Sequence, residues 1–277
     1  MRQVRFRSGF TFREGRDVYL YALLGLLQGL TEFLPVSSSG HLVLAERLLG
    51  LDPPGVVLEA VLHLATLCAV LIYFRRDLAR LLIQGITPAG AAERRYLGLL
   101  ILGTLPIVIL GFSARRGIER AFSSVPLVGG MLILTGVVLW AAAHLQSKAR
   151  RAQVGVRDAI YMGLAQAAAL LPGISRAGAT IGAGIASGLV PKAAARFSFL
   201  LSIPAIFGAA VLALAETKAP ILAGEAWGLV VGGLCALTSG LLAIHLLLKL
   251  LFKGRLDIFA AYCLIVGIAS LTAGLLL

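Results

Sequence analysis

The sequence predicts an all-α polytopic membrane protein, built as inverted-topology repeats with about six transmembrane helices and two re-entrant helical hairpins. Three observations carry this. The 277 residues are 59% hydrophobic and 14% charged, with a mean hydropathy of +0.94, far above a soluble globular domain. Apolar runs recur from end to end between short charged breaks, and several supply the roughly 20 helical residues that cross a ~30 Å hydrocarbon core. Two segments resemble each other and share the same polar interruption.

Residues 1–17 form a basic extension with arginines at 2, 5, 7, 13 and 16. It is read as an extension rather than a signal peptide, because a polar cluster follows it directly and no clear A-x-A site intervenes. The membrane domain occupies 18–277, with apolar runs near 18–34, 57–74, 96–113, 125–145, 158–171, 177–190, 197–215, 226–248 and 257–277. A first repeat spans about 18–145, a linker about 146–157 and a second repeat about 158–277. The runs around Pro35 and Pro172 pair short helices across small residues, which suits re-entrant hairpins better than full spans.

With 18–50 and 158–190 as hairpins, six crossings remain and the basic loops can be sorted by side. One side collects fourteen Lys and Arg from the loops near 75–95, 148–157, 192–196 and 249–255. The other collects ten. The richer side is expected to be cytoplasmic, with the 146–157 linker on it. The formal charge of +12 therefore reflects membrane flanks and anionic headgroups, and no nucleic acid is expected. Cys68, Cys235 and Cys263 lie inside apolar runs and are expected to be buried free thiols.

"GLLQGLTEFLPVSSSGHLV" from Gly25 and "GLAQAAALLPGISRAGATI" from Gly163 share Gly-Leu-x-Gln and, after a one-residue shift, Leu-Pro-x-x-Ser. Interrupted helices in inverted repeats point to a site between the two breaks. An ionisable group in a span costs at least ~2.5 kcal/mol on insertion scales, and Glu32, His41 and Arg176 cluster at the breaks. Gln28 and Glu32 share a helical face. Ser37, Ser38 and Ser39 either cap the next helix or offer an anion site with a nucleophile and a base, Ser38 and His41, three residues apart. Around Arg176, Gly173 and the glycines that follow let backbone approach a ligand while the guanidinium forks onto phosphate oxygens. Arg176 needs either Glu32 across the repeat or an anionic ligand. Glu59 and His63, four apart, either extend the site or form a local pair, and Gln166 repeats Gln28. Thr66, Ser198 and Ser202 are expected to bond carbonyls one turn back.

"QGLTEFLPVSSSGHL" and "LLPGISRAGATI" closely resemble the two signature motifs of the undecaprenyl pyrophosphate phosphatase family, also called bacitracin-resistance proteins. Lesser likeness runs through "LHLATLCAVLIYFRRDL" and "ARFSFLLSIPAIFGA". The resemblance implies a multi-pass enzyme of the bacterial inner membrane that hydrolyses undecaprenyl diphosphate to undecaprenyl phosphate and inorganic phosphate. It implies a site open to the outer face, a divalent cation (Mg²⁺ or Ca²⁺), a homodimer, contacts with membrane lipids, and bacitracin as an indirect partner through the shared lipid. By position, Ser38, His41 and Glu32 become catalytic candidates. Arg176, Ser175, Ser37, Ser39 and Gly173 become candidates for holding phosphate, Glu32 and Gln28 for holding metal, and Glu59, His63 and Gln166 for surrounding support. Gln28 departs from the many members with Glu there, which removes one metal ligand. A polyprenyl-phosphate transporter with the same phosphate site is the alternative.

Overall fold

The computed structural model describes residues 16–49, 56–216 and 223–276, and among these helix dominates. The extension before residue 16 lies outside them. Helix α1 (Arg16–Phe33) and α2 (Ser38–Leu49) flank the first break. Helix α3 (Val56–Tyr73) bends by 71° into α4 (Arg75–Gly85), followed by α5 (Ala91–Ser113), the short α6 (Arg115–Ala121) and α7 (Val125–Leu145). Helices α8 (Val156–Ala168) and α9 (Arg176–Ala186) flank the second break. Then come α10 (Pro191–Glu216), α11 (Ala223–Phe252) and α12 (Leu256–Leu276). By length and composition α5, α7, α10, α11 and α12 can each cross a membrane, and the bent α3–α4 pair makes a sixth span if counted as one.

Helix packing exchanges the two halves. Helix α1 lies along α11 and, correspondingly, α8 lies along α5, while α3 packs on α10 and α7 on α12. Small residues make these approaches possible. A Cβ on Gly25 would stand 2.2 Å from the Gly232 carbonyl oxygen, and one on Gly163 would stand 2.4 Å from that of Gly103. Gly129 and Gly267 face each other across α7 and α12, each with a virtual Cβ 2.9 Å from the other's carbonyl. Gly25 with Gly163, Gln28 with Gln166, Gly40 with Gly178 and Gly129 with Gly267 all keep one spacing (166 minus 28, or 138). The one-residue shift used to align the prolines is therefore unnecessary. Without hydrophobic drive between helices in lipid, such close backbone packing holds the bundle together.

The linker end is tied together by polar contacts. The Arg151 guanidinium forks onto buried Asp158 at 2.9 and 2.7 Å, and the Arg150 and Arg151 amides donate to the Gly188 carbonyl. The Gln146 amide donates to the Gly254 carbonyl at 2.8 Å. On the same basic loops, Arg196 pairs with Asp77 and lies over the Tyr96 ring, 5.7 Å from its centroid.

The thiols correct one expectation: Cys263 is buried, Cys235 is half-buried and Cys68 is exposed. The outer surface of a membrane bundle is itself apolar, so an apolar run does not imply protein burial. Thr66 and Ser202 bond carbonyls three residues back, whereas Ser198 pairs with the Thr180 hydroxyl between α9 and α10.

Candidate active site

Both breaks are built alike. Pro35 ends α1 by removing a backbone donor, and the chain turns through Ser37 at φ 72°, a left-handed conformation that costs a non-glycine residue ~1–2 kcal/mol. The Ser37 hydroxyl accepts from the Gly40 amide at 3.2 Å and so caps α2. In the second break Gly173 sits at φ 96°, where a Cβ would be 2.5 Å from the Val128 carbonyl oxygen. The Ser175 hydroxyl accepts from the Gly178 amide at 3.1 Å and caps α9. Capping thus pairs Ser37, not Ser38, with Ser175. Ser38 and Arg176 then become equivalent first residues of their helices. A virtual Cβ on Gly40 lies 3.1 Å from Gly173 Cα, and one on Gly178 lies 3.3 Å from Pro35 Cβ, so the breaks face each other.

The two equivalent residues converge on one carboxylate. Arg176 Nη2 donates to Glu32 Oε1 at 2.6 Å, and Ser38 Oγ donates to Glu32 Oε2 at 2.6 Å. Gln28 Nε2 also donates to Oε2, at 3.1 Å, and His63 Nε2 lies 4.0 Å away from it. Glu32 and Gln28 are buried. Two buried atoms in this cluster have no partner: Arg176 Nη1 and Gln28 Oε1. A buried polar atom left unpaired costs ~1–3 kcal/mol, so this guanidinium is short of an acceptor and this amide of a donor or cation.

His41 is held elsewhere. Its Nδ1 lies 2.8 Å from the Ser37 carbonyl oxygen and its Nε2 lies 2.7 Å from the Tyr262 hydroxyl. The Ser38 hydroxyl makes its hydrogen bond with Glu32, so spacing suggested one partner for the serine and folding supplies another. His63 Nδ1 lies 2.8 Å from the carbonyl oxygen of Glu59, which makes this a local pair whose ring reaches toward Glu32. Ser39 Oγ lies 3.3 Å from Ser37 Oγ. Gln166 is buried with neither amide atom bonded, because the position matching Glu32 in its repeat is Leu170.

Two side chains were not legible as site residues. Thr135 of α7 donates to the Gly173 carbonyl at 2.9 Å and accepts from the Ser175 amide at 3.0 Å, fixing the second break. Tyr262 of α12 contacts His41. Ranking polar residues by ionisability passes over both, and the only available signal was a hydroxyl inside an apolar span.

The residues fit a divalent cation in a limited way. Among the described residues no group of three or more His, Cys, Asp and Glu is arranged to hold a metal. The orphaned Gln28 Oε1 beside the Glu32 carboxylate offers two hard oxygen ligands, and a cation such as Mg²⁺ ordinarily completes its shell with substrate phosphates and water.

A family model described as Bacitracin resistance protein BacA matches residues 21–269. This chain belongs to the BacA family. Among its relatives, the undecaprenyl-diphosphatase of Syntrophotalea carbinolica is 44% identical over 254 residues, covering 90% of this chain and 96% of the relative. The protein of the same name from Desulforapulum autotrophicum is 40% identical over 273 residues, covering 93% and 99%. That of Methanobrevibacter smithii is 39% identical over 267 residues, covering 91% and 96%. The BacA match includes both breaks and every site residue named above.

Proposed function

We propose that this chain is an undecaprenyl diphosphate phosphatase, hydrolysing the lipid diphosphate to undecaprenyl phosphate and inorganic phosphate and so returning the carrier to cell-envelope synthesis. The observation that carries this reading is the Glu32 hub: a serine hydroxyl and a guanidinium on opposite oxygens of one buried carboxylate, with Arg176 Nη1 left without an acceptor. Diphosphate oxygens supply that acceptor. The names of the relatives and the multi-pass helical bundle support the substrate and the setting.

In the proposed reaction Arg176 and the first amides of α2 and α9 hold the diphosphate. Ser38 Oγ attacks the terminal phosphorus and its proton passes to Glu32 Oε2. The bond from that phosphorus to the bridging oxygen breaks, and undecaprenyl phosphate leaves with the electron pair. Water then attacks the phosphoserine, giving its proton to His41 Nε2 as the Tyr262 hydroxyl turns away, while Ser38 regains the proton held by Glu32. A divalent cation on Glu32 and Gln28 Oε1 would add charge neutralisation on the phosphate oxygens. The family resemblance implies a site facing the outer side of the cell membrane, and the positive-inside count supports only a site between hairpins that enter from opposite sides.

A polyprenyl-phosphate transporter would use the same arginine. The repeat partners of Glu32 and His41 are Leu170 and Ala179, and that of Arg176 is Ser38, so no ionisable group of the site has a like group at the matching position. That asymmetry favours chemistry over alternating access. The deciding experiment is phosphate release from C55 diphosphate by the purified protein, with and without EDTA. Release abolished in Arg176→Ala is expected, and no release by wild type across varied cations overturns the enzymatic reading.

A further inference from the structure

Tyr262 lies in α12, the last helix of the second repeat, yet its hydroxyl reaches 2.7 Å from His41 Nε2 in the first repeat. The two ring planes are nearly parallel, 9° apart with centroids at 5.6 Å. The other ring nitrogen, Nδ1, faces the Ser37 carbonyl at 2.8 Å. A carbonyl only accepts, so Nδ1 carries the proton, and in the neutral ring Nε2 is then the acceptor of the tyrosine proton. The Ser37 carbonyl thus sets the roles at both nitrogens. The chain of contacts continues into Ser37, whose left-handed turn starts the helix on which Ser38 aims at Glu32.

We propose that Tyr262 is a positioning residue of the reaction: its hydroxyl fixes the orientation of the Nδ1–H imidazole of His41, and through His41 it braces the Ser37 turn that presents Ser38. This deepens the phosphatase reading and rests on it for the role of His41. Tyr262 is 43% exposed, so its hydroxyl is not needed to fill the core, and the ring remains in Tyr262→Phe.

The test compares wild type, Tyr262→Phe and His41→Gln in two measurements. The first is ¹⁵N NMR of histidine-labelled full-length protein in lipid nanodiscs, with the His41 resonances identified by their loss in His41→Gln. Wild type should show a protonated Nδ1 and a hydrogen-bonded, unprotonated Nε2, and in Tyr262→Phe the Nε2 resonance should move toward that of a free imidazole nitrogen while Nδ1 keeps its proton. The second is C55-diphosphate turnover. Tyr262→Phe should lower kcat on the order of 10- to 100-fold and leave KM within about twofold. A wild-type His41 protonated at Nε2, or a Tyr262→Phe variant unchanged in both the Nε2 resonance and kcat, overturns the proposal. If wild type releases no phosphate, the functional reading fails alone and the NMR comparison still decides the Tyr262–His41 contact.

Discussion

Arg176 and Glu32, 144 positions apart in the chain, meet at 2.6 Å between the two breaks. Their side chains are 13% and 6% exposed, so the pair is shielded from water and each charge depends on the other. Removing one partner strands a buried charge and costs about 3–5 kcal/mol. Glu32→Gln and Arg176→Gln should each lower thermal stability in detergent and abolish phosphate release. The double variant should regain most of the stability and none of the activity. Additive losses in the double variant would mean the two residues act independently.

Ser38 can be tested apart from His41 because its hydroxyl bonds Glu32. Ser38→Ala removes the proposed nucleophile and one donor to Glu32, and turnover should fall to background, with no radiolabelled phosphoserine trapped by acid quench. Turnover retained in Ser38→Ala would move the attack to water.

Gln28→Glu places a second carboxylate on the same helical face as Glu32. The concentration of Ca²⁺ needed for half-maximal activity should fall, and Ca²⁺ should raise the unfolding temperature more than in wild type. An unchanged cation response would remove Gln28 from the cation site.

Asp158 governs acid stability at the linker end. Burial alone would raise its carboxyl, but hydrogen bonds from Arg151, the Gly155 amide and the Ser187 hydroxyl hold it below the usual carboxylate range. A depressed folded value contributes stability above the unfolded value of about 3.9, and that stability is lost as pH falls further through the folded value. Half of the Arg151 side chain is exposed, so the contribution is discounted for solvent screening to about 1 kcal/mol. Asp158→Asn should flatten the fall in unfolding temperature below about pH 4. A wild-type slope in that variant would place the titration elsewhere.

Gly25→Ala should destabilise by about 1–3 kcal/mol through overpacking on Gly232, whereas Gly98→Ala, with nothing within 4 Å of the new Cβ, should not destabilise. Unfolding of the purified variants distinguishes the two.

Much of this was legible in the residues themselves. Glu32, His41 and Arg176 stood out because charge in an apolar run needs a partner, and the matching Gln28 and Gln166 marked the two breaks. Hydrophobicity located the spans because each must satisfy its backbone internally. What stayed hidden was the choice of partner. Sequence spacing put Ser38 with His41, but the left-handed turn at Ser37 sends the hydroxyl to Glu32 and gives the ring to Tyr262. The proline alignment suggested Ser38 as the match of Ser175, and only capping geometry reveals Ser37 in that place. Thr135 and Tyr262 are distant in sequence and carry no charge, so no local rule picks them out.

The interlocking of α1 with α11 bears on how the protein is made. The glycine-lined face of α1 emerges from the ribosome roughly 190 residues before its partner, a delay of about 10–40 s at ordinary synthesis rates. Glu32 lacks Arg176 for the first 144 residues of further synthesis and lacks α11 for longer still. The packing of the first half is therefore completed only by a helix of the second, α11.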